Sequence, residues 1–350
     1  MSSFAVHNVS LRGVSACVPV RREDNMELDL IPESQREIFI QTTGIRYRRM
    51  AAPGTTAADL CRVSAQKLMS DLGWQPDEIG VLVLITQTPD YVVPNSSSII
   101  QHQLGIPKDC LALDINLGCS GYVYGLSVIG SLLQNMPGRK GLLLVGDCSS
   151  AIVSKGDKAT YPLFSDAGSA TAIEHQAGTS WHFDLHTDGS GYEDIIVKGG
   201  GMKHPFHMHS LDPVDHGPGE VRSDLQMKLD GLNIFNFALR EVASNIESVM
   251  ASAQVSAGDT DYYVLHQANK LILECVRKKL KAPSEKFPYS LYDYGNTSSA
   301  SIPVTIASQL HGSLPESRKN LVLSGFGVGL SWGAAVIDFS QAHIADIIEI

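Results

Sequence analysis

The sequence predicts an α/β protein built from two similar halves. Short runs of aliphatic and β-branched residues are typical of buried strands, and they alternate with segments whose apolar residues recur at helical spacing. This alternation favours parallel sheets covered by helices on both faces. Residues 141–152 and 163–174 also resemble residues 320–339, a weak internal repeat that indicates duplication.

Five strands and two helices are predicted with defined bounds. The predicted strands span residues 81–86, 110–115, 142–145, 262–265 and 320–323. The predicted helices span residues 57–72 and 232–250. We place the boundary between the halves at Gly178, so that residues 1–178 carry the nucleophile described below and residues 179–350 carry its partners.

Composition narrows the class of protein. The 350 residues are enough for one large or two similar domains, and 43% hydrophobic with 18% charged residues is typical of a soluble globular chain. The net charge of −10 and the lack of a basic block argue against nucleic-acid binding. No stretch of eighteen apolar residues and no secretory leader pattern occurs, so we expect a cytoplasmic protein without a membrane span.

Cys119 stands apart from the other five cysteines, which are scattered without metal or disulfide spacing. It lies in DINLGCSGYVYG, where a strand is predicted to end near Asn116 and a helix to begin at or just after Cys119. Free N–H groups and the helix dipole at such an elbow are predicted to favour the thiolate, which suits a nucleophile. Gly118 is predicted to allow a tight turn, and Gly121 a close approach by another segment or by substrate.

A nucleophilic cysteine requires partners that move protons and hold negative charge. His266 directly follows the predicted strand 262–265 and opens HQANKLILECVRKKL, which has a helical pattern. Asn296 lies in GNTSSAS, where its amide can donate and Gly295 frees the backbone. Each alone is more typical of a structural residue. Their occurrence together with the thiol elbow and GFGVG at 325–329 indicates one site.

This set of motifs, in this order, resembles the β-ketoacyl-acyl carrier protein synthase III family, thiolase-fold condensing enzymes that usually start fatty acid synthesis. The resemblance covers nearly the whole chain, through the motifs TTGIRYRR, GCSGYVYGL, LFSDAGSA, TDGSGYEDI, HQAN, GNTSSAS and GLSWGAAVI. It implies a thiolase-like fold with two similar halves in a layered α-β-α-β-α arrangement. It also implies a homodimer, acyl carrier protein (ACP) as a partner, acyl-CoA or acyl-ACP as substrate, and no metal or redox cofactor.

The resemblance assigns a role to each motif residue. Cys119 is the acyl-accepting nucleophile, His266 and Asn296 complete the triad, and the backbone N–H groups of Cys119 and Val328 form the oxyanion hole. The acyl group is loaded on Cys119 from a thioester and then condensed with a malonyl thioester, with loss of carbon dioxide, to a β-ketoacyl product. Further candidates for substrate binding are Lys158, Thr42 and Asn269.

The sequence departs from the family at the positions that hold the adenine end of coenzyme A. A tryptophan and an arginine of familiar members are replaced by Ile38 and Thr42, which removes a stacking surface and a cation. Another family arginine is matched by Lys158 in GDKAT, which keeps the charge but loses the bidentate fork. We therefore predict that the acyl donor is carrier-bound rather than a simple short-chain acyl-CoA.

Residues 198–224, rich in glycine, proline and histidine, are predicted to form a long loop or flap. No recognised ligand spacing occurs there, so a polar flap or a dimer contact is favoured over a metal site. The histidines concerned are His204, His207, His209 and His216.

Two alternatives to condensation stay open. An acyltransferase on the same fold would pass the acyl group from Cys119 to an oxygen or nitrogen nucleophile, with His266 as general base. A non-catalytic partner subunit is disfavoured because all three triad residues are present, and an unrelated cysteine hydrolase would make GNTSSAS and GLSWGAA coincidental. The acyl chain length and the pathway, fatty acid initiation or a specialised one, stay open too.

Overall fold

The computed structural model describes residues 3–312 and 320–350. Within these ranges, the strands are β1 (Ser3–Val18), β2 (Arg22–Asp24), β3 (Tyr47–Arg49), β4 (Ile79–Ile85), β5 (Leu111–Ile115), β6 (Lys140–Cys148), β7 (Gly156–Asp157), β8 (Asp166–Thr187), β9 (Ile195–Val197), β10 (Val214–Asp215), β11 (Glu220–Arg222), β12 (Met227–Leu229), β13 (Tyr262–Leu265), β14 (Asn320–Gly327), β15 (Ser331–Asp338), β16 (His343–Ile344) and β17 (Ile348–Glu349).

The α-helices of the same ranges are α1 (Glu33–Thr43), α2 (Ala57–Leu72), α3 (Ser96–Gln103), α4 (Gly121–Leu133), α5 (Gly231–Ala253), α6 (Lys270–Lys279), α7 (Leu291–Tyr294) and α8 (Ser301–Gln309). Short 3-10 helices span Asn25–Glu27, Pro76–Glu78, Ser149–Ala151, Gly189–Gly191, Met208–Leu211, Ser284–Lys286 and Ser298–Ala300.

Most of the long strands belong to one mixed sheet. Its order is β13-β14-β15-β8-β6-β4-β5, and β1 pairs with β8 and carries β16 and β17. The pairs β4-β5, β4-β6 and β13-β14 are parallel, whereas β6-β8, β8-β15, β14-β15 and β1-β8 are antiparallel. The prediction of parallel sheets is therefore wrong for the antiparallel strand pairs of this sheet. The antiparallel strands β1, β8 and β15 are rich in small and polar residues and lack the continuous aliphatic runs on which that prediction depended.

Three large apolar cores fill the four interfaces between five layers, because the central core lies on both sides of α4 and α8. Alternate residues of β4 divide between two of these cores: Val83 packs with α4 and α8, and Leu82 packs with α2. In β14, Leu323 joins the same α4 and α8 core, and Val322 packs with α5 and α6. The outer layers are α2 with α3 on one side and α5 with α6 on the other, and the middle layer is α4 with α8. The strand layer that contains β4 lies between α2 and α4, and the strand layer that contains β14 lies between α4 and α5. The predicted layered α-β-α-β-α arrangement is confirmed.

The two halves repeat one strand pattern. In the first half, β4 runs parallel to β6, which pairs antiparallel with β8; in the second, β13 runs parallel to β14, which pairs antiparallel with β15. These are the segments that resemble each other in sequence. The predicted boundary at Gly178 falls inside β8, which continues through both halves, so the division at that residue stays a prediction.

The chain has two further features that bear on function. The segment 198–224 crosses the surface as turns, a short 3-10 helix and the strands β10 and β11, and β11 pairs with β7. Among the helices of residues 3–312 and 320–350, none combines the length and the apolar character needed to cross a membrane.

Candidate active site

Cys119 lies on the elbow that the sequence predicts. The strand β5 ends at Ile115 and α4 begins at Gly121, whose N–H donates to the Gly118 carbonyl oxygen at 2.7 Å. A side chain at Gly121 would overlap Ile85, so the predicted close approach is made by another segment of the chain. A side chain at Gly118 would overlap Gln87, which gives this glycine a packing role besides the turn.

The end of β14 lies directly against the elbow. A Cβ atom at Gly325 would lie 2.8 Å from Ser120 Cα, and one at Gly327 would lie 2.7 Å from Cys119 Cβ and 2.9 Å from its Sγ. Gly327 also has a φ of +156°, which few other residues adopt. The glycines of GFGVG are therefore required because the second half of the chain contacts the nucleophile through bare backbone.

The Cys119 thiol is buried, and burial raises its pKa to about 11. The carboxylate of Asp147 raises this pKa further, because it opposes a second negative charge nearby. The backbone N–H groups of Val328 and Cys119 and the Ser298 side chain act in the opposite direction as hydrogen-bond donors to the sulfur. The backbone donors at the elbow thus favour the thiolate, as expected, but loss of hydration outweighs them and the net effect favours the thiol. The two backbone N–H groups predicted as the oxyanion hole do face the sulfur.

His266 directly follows β13 and is buried, and its backbone N–H donates to the Ser324 carbonyl oxygen at 2.8 Å. Burial lowers the pKa of its imidazole to about 3, and a hydrogen bond with the Ser298 backbone opposes this shift only in part. The ring also meets the Phe326 ring edge to face, with centroids 5.5 Å apart. His266 is therefore neutral throughout the physiological pH range.

The hydroxyl of Ser301 holds the imidazole. Its Oγ lies 2.7 Å from His266 Nδ1 and accepts the Gln267 N–H at 3.3 Å. Because the Gln267 amide already donates to this oxygen, the arrangement favours donation of the hydroxyl hydrogen to Nδ1. In that tautomer Nε2 carries the ring hydrogen, which can donate to the Ser298 backbone or to a substrate oxygen.

Asn296 is buried, and its backbone is held on both sides by the start of the β8 segment. Its N–H donates to the Leu163 carbonyl oxygen at 3.0 Å, and its own carbonyl oxygen accepts the Ser165 N–H at 2.9 Å. Its side-chain Oδ1 accepts the Ser298 N–H at 2.9 Å. With the oxygen occupied, the Nδ2 group is the part of the amide left to donate to a ligand.

The three predicted triad residues line one cavity of about 270 Å³. Cys119 comes from the first half, whereas His266 and Asn296 come from the second, and the apolar walls include Phe326 and Leu229. The structure thus brings together the groups that the sequence motifs select. Their individual roles stay predictions.

The substrate-binding candidates divide between two adjoining spaces. Asn269 and Lys158 line the Cys119 cavity, although Asn269 also caps α6 by accepting the Ile272 N–H at 2.9 Å. Thr42 lines a neighbouring groove of about 520 Å³ together with Ile38. Lys158 lines both spaces, so the groove opens beside the entrance of the cavity.

The Val328 side chain does not line the cavity that contains Cys119. It lines a separate space of about 310 Å³ with Gln87 and Asn116. The Val328 side chain therefore borders this neighbouring space, while its backbone N–H faces the sulfur.

The histidines of the 198–224 segment lie on the surface, outside the Cys119 cavity. His209 Nδ1 pairs with Asp212 at 2.9 Å, and the rings of His207 and His209 are 6.3 Å apart. In the part of the chain that the structure describes, no three His, Cys, Asp or Glu side chains are grouped so as to hold a metal ion.

Sequence reasoning missed three polar residues of this site. Asp147 is the last residue but one of the buried strand β6, Ser301 contacts His266, and Ser298 faces Cys119 with a left-handed φ of 51°. The only signal for Asp147 was an acidic residue two positions after the apolar run 142–145. The serines of GNTSSAS were read as a motif and not as individual contacts.

This fold is that of the thiolase-like condensing enzymes, which belong to the acyl-transferring transferases. The 3-oxoacyl-(acyl-carrier protein) synthase from Burkholderia xenovorans superposes with a TM-score of 0.92 at 36% identity, with 99% of both chains covered. The 3-oxoacyl-(acyl carrier protein) synthase III from Pseudomonas aeruginosa superposes with a TM-score of 0.79 at 26% identity, covering 95% of this chain and 98% of that one.

Sequence comparisons define the family. Models of 3-oxoacyl-[acyl-carrier-protein] synthase III and of its C-terminal part match residues 113–189 and 250–339. The beta-ketoacyl-[acyl-carrier-protein] synthase III of Lactococcus lactis is 32% identical over 331 residues, which cover 93% of this chain and 97% of that protein. The chain belongs to the β-ketoacyl-ACP synthase III family, where β-ketoacyl and 3-oxoacyl are two names for one group. The predicted thiolase-like fold and family are confirmed.

Proposed function

We propose that this condensing enzyme loads an acyl group on Cys119 and extends it by decarboxylative Claisen condensation with a malonyl thioester, malonyl-ACP. In the first step, the Cys119 sulfur attacks the thioester carbonyl carbon. The N–H groups of Cys119 and Val328 hold the tetrahedral oxyanion, and each such donor contributes about 3 kcal/mol in comparable acyl-transfer sites. The carbon–sulfur bond to the donor then breaks, and its thiol leaves with the proton of Cys119.

The second step uses the other corner of the cavity. The malonyl thioester loses its carboxylate as carbon dioxide, and the electron pair of the broken carbon–carbon bond becomes an enolate. We assign the enolate oxygen to the Nε2–H of His266 and the Nδ2–H of Asn296. The enolate carbon attacks the acyl-cysteine carbonyl, and Cys119 leaves as thiolate and takes a proton from water.

The lowered pKa of His266, about 3, carries the choice of condensation over simple acyl transfer. A general base that activates an alcohol or amine works best with a pKa near the operating pH, which this imidazole lacks. A neutral imidazole that donates from Nε2 suits an enolate oxygen. The family relatives are named as synthases of this kind, which agrees with the same choice.

Purified protein tests the proposal directly. Intact-mass measurement after exposure to acyl thioesters should show one acyl group on Cys119, absent in Cys119→Ala. Addition of malonyl-ACP should then release carbon dioxide in step with a product two carbons longer. Turnover on alcohol or amine acceptors without carbon dioxide release would instead establish the acyltransferase alternative. Pathway output that Cys119→Ala leaves intact would support the non-catalytic partner subunit.

The donor is proposed to be carrier-bound, because the groove beside the entrance is mainly apolar. Leu30, Ile31, Ile38 and Phe39 are among its lining residues, and Lys158 is its one cationic lining residue in the described part of the chain. Coenzyme A presents three phosphate groups, whereas the pantetheine arm of a carrier presents one. A single lysine matches the carrier arm better than the nucleotide end of coenzyme A.

Arg36, a cation of α1, does not supply the positive charge that the groove lacks. The Arg36 guanidinium donates to the carbonyl oxygens of Ile31 and Met26, each at 3.0 Å, and is thereby committed to holding α1 against the chain before it. It also pairs with Asp29. The groove therefore offers little for the adenine and phosphates of coenzyme A.

Rates of Cys119 acylation by acyl-ACP and acyl-CoA with the same acyl group separate the two donors. We expect acyl-ACP to be preferred, and Lys158→Ala to raise its KM by about 2- to 5-fold, the effect of one exposed charge contact. Lys155→Ala is the matched control, since this exposed lysine lines neither space. Equal efficiency with acetyl-CoA would contradict the proposal.

By the same resemblance, we propose that the protein acts in the cytoplasm as a homodimer and without a metal or redox cofactor. The reaction written above moves only acyl groups, protons and carbon dioxide, so its balance needs no oxidant or reductant. Intact-mass measurement with acyl thioesters of different acyl groups would identify the acyl group. That group in turn bears on the pathway, fatty acid initiation or a specialised one.

A further inference from the structure

Asp147 is a buried carboxylate between the two halves of the molecule. Its Oδ1 accepts the Gln87 N–H at 2.7 Å and the Thr86 hydroxyl at 3.3 Å, both at the end of β4. Its Oδ2 accepts the N–H of Ser299 at 3.2 Å and the Ser299 hydroxyl at 2.6 Å. One oxygen thus binds the first half, and the other binds the loop before α8 in the second.

Ser299 is the middle of a short segment, residues 296–301, that sets both proposed enolate donors. At one end, Asn296 Oδ1 accepts the Ser298 N–H, which leaves Nδ2 free. At the other end, Ser301 contacts His266 Nδ1. A group that fixes Ser299 therefore fixes the orientation of both donors.

The same carboxylate has an unfavourable effect on Cys119. Burial raises the pKa of the Asp147 carboxyl, whereas its hydrogen bonds with Ser299 and Gln87 lower it. Four donors surround its oxygens, the arrangement expected of an ionised group that only accepts. Its negative charge raises the pKa of the Cys119 thiol. A residue that opposes formation of the nucleophile and yet has four donors built around it must contribute elsewhere.

We propose that Asp147 is a positioning residue for the decarboxylation step: its carboxylate ties residues 296–301 to the end of β4 and so aims Asn296 and His266 into the cavity. Asp147 acts through Ser299 and does not itself contact substrate. The inference rests on the proposed function, because decarboxylation is the step that uses these two donors.

The variant Asp147→Asn gives effects of opposite sign in the two steps. The amide can accept from only one side, so its NH₂ group faces the donors of either β4 or Ser299 and the segment shifts. We expect decarboxylation of malonyl-ACP to fall about 100-fold, the scale of a small misplacement of catalytic groups. Acylation of Cys119 at pH 7 should be retained or faster, and the pH midpoint of Cys119 alkylation by iodoacetamide should move lower, because the nearby negative charge is gone.

The variant keeps the other titratable groups around this site, which are His266 and Lys158 in the cavity wall and Cys148 and Asp166 beside Asp147. The Asp147 charge also raises the pKa of Cys148 and Asp166, so its removal should lower both.

Asp166→Asn is the matched control. Asp166 is equally buried on the neighbouring strand β8 and accepts the N–H groups of Ala51 at 2.7 Å and Ser150 at 2.9 Å and the Ser150 hydroxyl at 2.5 Å. In the described part of the chain its side chain makes no hydrogen bond with residues 298–301. It should lower the thermal unfolding midpoint while leaving the ratio of acylation to decarboxylation and the Cys119 midpoint as in wild type. If Asp147→Asn does not fold, Ser299→Ala replaces it as the test variant. Its decarboxylation should fall, while the pH midpoint of Cys119 alkylation should stay unchanged.

Each outcome is decisive. Equal losses in both steps, or decarboxylation by Asp147→Asn within about threefold of wild type, would overturn the inference and leave Asp147 a structural residue. If wild-type protein itself does not decarboxylate malonyl-ACP, the proposed function fails and the positioning role fails with it. The alkylation midpoint would in that case still measure the charge of Asp147.

Discussion

The elbow that carries Cys119 in the first half and the loop before α8 in the second half have opposite electrostatic roles in the proposed reaction, although the two halves share one strand pattern. In the proposed mechanism Cys119 becomes negative, and around its sulfur the chain places backbone N–H groups. In the same mechanism His266 and Asn296 stay neutral and hold a negative oxygen, and hydroxyl and amide groups of residues 298–301 fix their side chains. Burial lowers the pKa of His266 and raises that of Cys119, which shows that one dry cavity favours the neutral form of both.

The largest effect should come from removing the nucleophile. Cys119→Ala is expected to lower condensation by at least on the order of 10⁴-fold, because no other thiol lines the cavity described here. Decarboxylation of malonyl-ACP should persist, since its donors lie in the second half. Simultaneous assays of carbon dioxide release and product formation check this, and loss of both activities would show that the two corners do not act separately.

The converse experiment alters the second corner. Asn296→Ala removes one enolate donor and is expected to lower decarboxylation about 100- to 1000-fold, the scale of a deleted oxyanion-hole donor. Acylation of Cys119 should change much less. Intact-mass acylation kinetics provide the comparison, and a matched loss of acylation would mean that Asn296 also serves the first step.

A smaller effect is expected where the two halves touch. Gly327→Ala places a methyl group against Cys119 Cβ and Sγ and strains a φ of +156°, so the free energy of unfolding should fall by about 1–3 kcal/mol. Acylation should slow as well, because the sulfur or the Val328 N–H must move. Denaturant unfolding and acylation rates test this together. Gly231→Ala, at an open position that also lines the cavity, is the steric control.

The smallest expected effect is the difference in pH dependence between Cys119 and His266. With a thiol pKa of about 11, alkylation of Cys119 should rise about tenfold per pH unit between pH 7 and 9. The same raised pKa adds stability that is present below the unfolded value of 9.0 and lost as pH rises through 11. His266, with a pKa of about 3, should add no inflection to decarboxylation between pH 5 and 9. An inflection near 6.5 that disappears in His266→Gln would contradict the neutral, buried imidazole.

The sequence predicted best where residues repeat with a clear period. Residues 57–72 form α2 and residues 262–265 form β13 with unchanged bounds, because amphipathic and aliphatic patterns report directly on burial. The segment 232–250 lies within α5, which is longer by a few residues. In contrast, β1, β8 and β15 escaped prediction, since their small side chains pack against neighbours that only the sheet supplies.

The sequence by itself determined which residues are brought to the site: a cysteine on an elbow, a histidine after a strand and an asparagine after a glycine, in the order of one family. Only the tertiary structure decided their chemical state. Burial, the approach of Gly325 and Gly327, and the contacts of Asp147 and Ser301 come from segments far apart in the chain. Hydration and through-space charge set the pKa of Cys119 and His266, and no local pattern records them.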